Sequence, residues 1–447
     1  MTGTRKAATL ASLGLVAGIT ILAAPQANAS NQSTSAGAGH SSGARQIAGA
    51  RGSGQLVVDW NRELLTIAQT PGAQPATVQP TRSFALLQAA IYDAVVSTTH
   101  DGAPYAFEVV TSSGVRPDAA ADQAAHDVLA ALFPSFGSQL DGMLTHELAG
   151  IPSGPARDGG LAAGARVATL MLALRAHDGS ANPPPIFFPG TAPGDYRVTP
   201  PNTGKQPVFT GWGNVTPWVL ETSAQFLPAP PPALTSASWA QAINQVHRLG
   251  GGQGSPSART ADQTQIGLFW APPIWNTWNE VADAQLTGRH SSLAAASHVL
   301  ADLDITVADS VIALYEAKYT YALWRPITAI QAGTPGNPAV DAADPSWNPL
   351  TPTALDPSYP GAHATVSEAA ATVLTRFFGP RVHLSVRSDA AGFANVTRSF
   401  ASFQAAAAEA SLSRILAGQH TMIDESAGTG LGRDVANTVL AQPFGRG

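Results

Sequence analysis

Apolar residues recur at three- and four-residue spacing along most of the chain, the signature of helices with one buried face. The pattern marks helices over 64–69, 83–97, 118–132, 159–177 and 239–249. It continues over 291–303, 306–323, 363–378, 393–417 and 428–440. Strand-like alternation is confined to 107–111 and 196–199, so the class is all-α. Two long Pro-rich stretches, 182–232 and 332–360, interrupt the helices. Loops of that length inside a domain commonly act as lids or pocket walls. The expected architecture is a single multi-helix domain over residues 55–447, with four-helix-bundle packing and no repeat of fixed period.

The first residues follow a different pattern. Arg5 and Lys6 precede an uncharged apolar run over 8–24, and Ala27-Asn28-Ala29 forms an A-x-A cleavage site. Residues 1–29 therefore read as a signal peptide, and export as a secreted protein follows. Residues 30–54, dominated by Ser, Gly, Ala and Gln, have the composition of a flexible linker. No later segment has the unbroken apolar length of a membrane span. The net charge of the full chain is -6, and loss of Arg5 and Lys6 makes it more acidic by two charges. That balance argues against nucleic acid as a partner, so a cationic site must be a local concentration of Lys and Arg. With 0 cysteines, disulfides and thiolate metal sites are excluded.

Three segments supply such a concentration. In the first, Lys318 and Arg325 are seven residues apart, close to two helical turns, which places both on one face. Pro326 then disfavours helix at Arg325, so its guanidinium projects from a helix end. In the second, Pro360-Gly361-Ala362-His363 leads into an apolar helix. The free N–H groups of a first turn, aided by the helix dipole, attract anions. In the third, Arg414 and His420 would point about 120° apart on an unbroken helix. Gly418 between them ends the helix and lets His420 turn back over the same site. Asp424 is a candidate partner for fixing the tautomer of His420.

The order Lys-x6-Arg-Pro, Pro-x-x-His, Ser-Arg-x5-His resembles the vanadium-dependent haloperoxidase and type 2 phosphatidic acid phosphatase superfamily. Val58-Asp59-Trp60-Asn61, the 81–94 helix, Phe269-Trp270 and the 275–279 segment are similar to its bacterial, secreted branch. The resemblance implies that Lys318, Arg325 and Arg414 neutralise the oxygens of a bound vanadate, or of phosphate in the same pocket. Gly361 and Ala362 would face the oxyanion through their backbone. His420 would bond the metal (or phosphorus, in a phosphatase) and His363 would act as general acid–base, a role imidazole suits near neutrality.

Two departures stand out. The family's Ser-Gly-His is here Gly361-Ala362-His363, so a hydroxyl that would hydrogen-bond the anion is missing. Such a bond to a charged group contributes about 1.5–3 kcal/mol. Asp356 stands where chloride-oxidising relatives tend to carry an aromatic residue, and a carboxylate facing that space would repel halide. Bromide or iodide is therefore the expected substrate, with hydrogen peroxide. The alternatives are an acid phosphatase with His420 as nucleophile on a phosphate ester, and a non-catalytic secreted oxyanion-binding protein.

Other motifs carry less. His146-Glu147 lacks the second zincin histidine, because position 150 is Gly. The Gly428-Thr-Gly430-Leu-Gly432 run follows a helix, which does not suit a dinucleotide site. Thr306-x-x-Asp309 reads as a helix cap, and His290 as a packed or exposed side chain.

Overall fold

The computed structural model describes residues 54–73, 78–442 and 444. The expected signal peptide and, apart from Gly54, the linker lie outside them. Among the described residues there are thirteen α-helices and one two-stranded sheet. The first group is α1 (Gly54–Gln69), α2 (Gln79–Thr99), α3 (Pro117–Leu132), α4 (Gly137–Leu148) and α5 (Pro155–Arg175). After the long Pro-rich segment come α6 (Ala237–Leu249), α7 (Ala261–Phe269), α8 (Ile274–Gly288), α9 (Leu293–Tyr321) and α10 (Pro326–Ala332). The last group is α11 (Ala362–Phe378), β1 (Leu384–Arg387), β2 (Thr397–Phe400), α12 (Phe403–Leu416) and α13 (Met422–Ala441). No helix among them is long and apolar enough to cross a membrane.

The long helix α9 is the axis of the molecule. It packs on α1, α2 and α8 on one side and on α11 and α13 on the other. Nearly its whole length is buried, so it lacks the polar stripe of a surface helix. The expected break between 303 and 306 does not occur. Thr306 and Asp309 lie within α9, and Asp309 is no cap. Its carboxylate accepts the backbone N–H groups of Trp218, Val219 and Leu220 at 2.6, 2.8 and 3.0 Å, tying the first Pro-rich segment to the core.

The expected strands also change place. Residues 107–111 and 196–199 form no named strand. Phe107 and Val109 give their N–H groups to Asp93 and Ser97 of α2 instead of to a neighbouring strand. The sheet lies further on, with Leu384 opposite Phe400 and Arg387 opposite Thr397. This pairing takes residues from the helix expected over 393–417. That helix starts at Phe403, where the Ser402 hydroxyl accepts from the N–H of Ala405.

The glycine run belongs to α13 and serves packing. A Cβ on Gly432 would sit 2.1 Å from the Thr365 carbonyl oxygen, and one on Gly428 would sit 2.5 Å from that of Gly361. Only hydrogen fits there, so α13 closes directly onto the start of α11. Gly430 faces open space.

A candidate oxyanion-binding active site

The three basic segments meet at the ends of α9, α11, α12 and α13. Lys318 stands in the last turn of α9, which stops at Tyr321 with Ala322 in the left-handed conformation. The continuous two-turn face expected for Lys318 and Arg325 is therefore not how they meet. Arg325 caps the N-terminus of α10, with Pro326 as its first residue, and the intervening turn brings the guanidinium back to the lysine. Arg414 lies in the last turn of α12. Gly418 follows with φ +76, and a Cβ there would also meet Gly250 and Pro349. The chain reverses at this point, as its glycine suggests, and His420 returns over the site.

Asp356 holds two of the cations together. Its carboxylate pairs with Arg325, lies 3.5 Å from the Lys318 ammonium, and accepts from the Tyr315 hydroxyl at 3.1 Å. Burial alone would raise this carboxyl. Lys318 and Arg325, with His420 behind them, outweigh it and hold Asp356 down at about 2. The carboxylate is thus spent on the protein's own cations and does not stand free as the sequence suggests. Lys318 also donates to the carbonyls of Pro357 and Ser358. Burial brings its ammonium down to about 8, with Asp356 opposing.

The histidines are held differently. His420 Nε2 lies 3.1 Å from an Arg325 guanidinium nitrogen, and its Nδ1 has no hydrogen-bond partner. The Asp424 carboxylate is 3.6 Å from that Nδ1, too far for a hydrogen bond. It accepts instead from the Ser358 hydroxyl and the Thr421 N–H, at 2.8 and 2.6 Å, and so caps α13. Asp424 therefore positions His420 through the backbone; it does not fix the imidazole directly. His363, in the first turn of α11, places Nε2 2.8 Å from the Trp270 carbonyl. That contact makes Nε2 the protonated nitrogen. Burial drives both imidazoles well below their ordinary range, reinforced by Arg414 at His363 and by Arg325 at His420.

Among the described residues, Arg414 is the site cation that no carboxylate pairs with directly. Its Nε and Nη1 are buried and make no hydrogen bond. A charged group sealed in this way costs several kcal/mol unless something accepts from it, and an oxyanion would. The first-turn N–H groups of α11 add further donors. Gly361 itself is not among them, because its N–H is used by the Asp424 carbonyl at 2.9 Å. Ala362 and His363 begin the helix proper. The site's chemistry thus fits vanadate or phosphate.

Glu425 was not foreseen in the sequence. It is buried beside Arg414, and one carboxylate oxygen accepts from the Ser411 hydroxyl at 2.9 Å while the other has no partner. Burial raises this carboxyl to about 8, with Ser411 and Arg414 opposing and Asp424 adding. The only signal in the sequence is a second acidic residue directly after Asp424, five positions after His420. A groove lies nearby, lined by Leu227, Tyr359, Met422 and Ile423, but none of the five basic site residues lines it. His290 is exposed, and His146 lies at the end of α4, away from any such cluster.

This arrangement of buried cations at the ends of a helical bundle defines a candidate oxyanion pocket in an all-α protein. Residues 298–443 match the family model described as the VCPO second helical-bundle domain. A bacterial vanadium-dependent iodoperoxidase is similar in structure, with a TM-score of 0.72 and 24% identity, over 87% of this chain and 95% of that one. The holo form of a bacterial vanadium-dependent chloroperoxidase gives 0.65 and 13%, over 84% and 94%. No curated protein matches the chain. The chain has the vanadium haloperoxidase fold, as its sequence motifs imply.

Proposed function

We propose that the protein is a vanadate-dependent haloperoxidase-like enzyme that oxidises bromide or iodide, in preference to chloride, with hydrogen peroxide. The observation that carries this reading is the buried Arg414, whose Nε and Nη1 have no partner and whose charge reaches His420 and His363 in the first turn of α11. Lys318, Arg325 and Arg414 would hold the oxygens of vanadate, helped by the N–H of Ala362, and His420 would ligate the metal. Arginine suits the task because its planar fork gives two bonds to adjacent oxygens, where lysine acts as a point charge. When bound, vanadate supplies a Lewis acid that activates peroxide without changing oxidation state.

The protein's own part is to bind, orient and manage protons. With His363 Nε2–H held by the Trp270 carbonyl, Nδ1 remains to accept and return a proton. The Lys318–Asp356–Arg325 cluster keeps two cations in place before any anion arrives. Greater similarity to an iodoperoxidase than to a chloroperoxidase supports the softer halides. Export through residues 1–29 belongs to the same reading and is checked by sequencing the N-terminus of protein recovered from the culture medium.

The test is halogenation of a phenol reporter with peroxide and bromide or iodide, with and without added vanadate. Vanadate-dependent turnover that is lost in Arg414→Ala and His420→Ala is expected. Bound vanadate without turnover would sink the peroxidase reading and leave an oxyanion-binding protein. Turnover of an aryl phosphate, inhibited by vanadate, would move the pocket to phosphatase chemistry.

A further inference from the structure

Trp270 is anchored on several sides, and its carbonyl is the group that holds His363. We infer that the Arg398–Glu409 ion pair is a positioning device: through Trp270 it fixes the ring orientation and tautomer of His363 for the proton transfers of the reaction. Its use in catalysis rests on the haloperoxidase reading; the way His363 is held does not.

Trp270 directly follows the end of α7, and its side chain is buried. Its carbonyl lies 2.8 Å from Nε2 of His363. A carbonyl only accepts, so this contact keeps the ring proton on Nε2. At its other end, the indole N–H is donated at 3.0 Å to Oε1 of Glu409, in the middle of α12. The Arg398 fork grips the same carboxylate twice, with Nε on Oε1 at 2.6 Å and Nη2 on Oε2 at 2.9 Å. Two parallel bonds of this kind fix direction as well as distance. The remaining nitrogen, Nη1, reaches Asp262 and Gln265 of α7, both at 3.0 Å. One guanidinium therefore ties α12 to the helix that ends at Trp270.

The two-stranded sheet supplies this grip. Arg398 and Phe400 alternate with exposed Thr397 and Ser399 along β2, so both project from one face. The Phe400 ring meets the Trp270 indole with 6.1 Å between centroids. Directly after β1, the Ser388 hydroxyl donates to the carbonyl of Phe269. Trp270 is thus held at its ring, at its indole N–H and at the preceding peptide, which leaves its own carbonyl little freedom. Burial of an indole does not by itself call for such an arrangement. Among the described residues, Trp212, Trp218, Trp275 and Trp324 leave buried indole N–H groups without a partner. What the anchorage secures at Trp270 is the carbonyl. Were it displaced, the His363 ring could turn and share its proton between both nitrogens, and small misplacements of a reacting group are costly to rate.

The experiment reads the His363 ring in the protein as purified, by nitrogen NMR of histidine-labelled material near neutrality, with the signal identified by its loss in His363→Gln. Wild type should show the proton on Nε2 and slow exchange of that proton with water. Trp270→Phe keeps an aromatic ring but no indole N–H. It and Glu409→Ala should each speed the exchange about tenfold and admit the second tautomer. Because both act through one hydrogen bond, the double variant should exchange no faster than the faster single variant. Glu409→Gln, which keeps an oxygen for the indole, should stay within about threefold of wild type. If Glu409→Ala does not fold, Trp270→Phe, with the ion pair intact, carries the same expectation. Unchanged exchange in Trp270→Phe, additive effects in the double variant, or a wild-type proton on Nδ1 overturns the inference. Halogenation by the same variants separates the two levels. With an active wild type, kcat should fall about tenfold while KM for the halide moves less than about threefold. An unchanged kcat overturns the positioning role. If wild type binds vanadate but does not turn over, the haloperoxidase reading fails, and the ring signal alone decides whether His363 is held in this way.

Discussion

Asp356 and Asp304 are both sealed from water, yet their surroundings drive them in opposite directions. Asp356, in the pocket, is ringed by Lys318 and Arg325 and held ionised at about 2, although burial opposes this. Asp304, within α9, faces α8, where Asn279 gives it one N–H at 2.9 Å, and its second oxygen has no partner. Burial raises it to about 8, so near neutrality it is mostly a neutral acid. Asp122, with a single bond from the Trp60 indole at 2.9 Å, behaves likewise. The lesson is that this protein buries acids freely, keeping some neutral and pairing others with cations, as at Asp356 and at Asp178 between Arg82 and Arg175. The helices on the α1–α2–α8 side of α9 are stitched by neutral polar groups, and the site at its other end is a cluster of ions.

Breaking the ionic side should have the largest effect. Asp356→Ala leaves Lys318 and Arg325 buried without their counter-ion, and a loss of about 3–5 kcal/mol is expected by urea denaturation. Saturating orthovanadate should return part of it, since a bound anion stabilises only the folded form. A loss no larger than that of an ordinary surface substitution would show that the pair is not what holds the cations.

The neutral side gives a smaller, pH-dependent effect. Asp304 has a raised folded pKa, so its contribution to stability is complete below about pH 4 and is lost as pH rises through about 8. Asn cannot ionise. Asp304→Asn should therefore match wild type near pH 3 and exceed it by at least about 2 kcal/mol at pH 9. Asp356 has the opposite sign: its contribution is present above about pH 4 and disappears as pH falls through about 2. Melting temperature against pH should thus fall at both ends, and Asp304→Asn should flatten only the alkaline limb. Flattening of the acid limb instead would reverse the assignment.

The smallest effects test whether the pocket depends on helix spacing. Gly432→Ala forces a methyl against the Thr365 carbonyl. It should cost about 1–3 kcal/mol and weaken anion binding by separating α13 from α11. Gly430→Ala, facing open space two residues away, should stabilise by about 0.5–1 kcal/mol and leave binding unchanged. Equal effects from the two would show that the close approach is not needed.

How much of this was legible in the sequence follows from range. The periodic helices were readable because burial on one face is a local pattern. Gly418 was readable because a turn needs a residue tolerant of positive φ. The merger of 291–303 and 306–323 into α9 was not, because Asp309 looked like a cap until the distant Trp218–Leu220 backbone claimed it. The pocket's basic residues and histidines were found through their spacing. The partner of each was hidden, since Asp356 reaches 31 residues back to Arg325 and 38 back to Lys318. Glu425 was missed for the same reason: its partner, the Ser411 hydroxyl, lies 14 residues back on another helix.

The internal counter-ion has one more consequence. Because Asp356 neutralises part of the cationic charge, Lys318 and Arg325 need no exogenous anion to settle into register. These two cations can settle as the polypeptide folds, and an oxyanion can be taken up afterwards, wherever and whenever one becomes available.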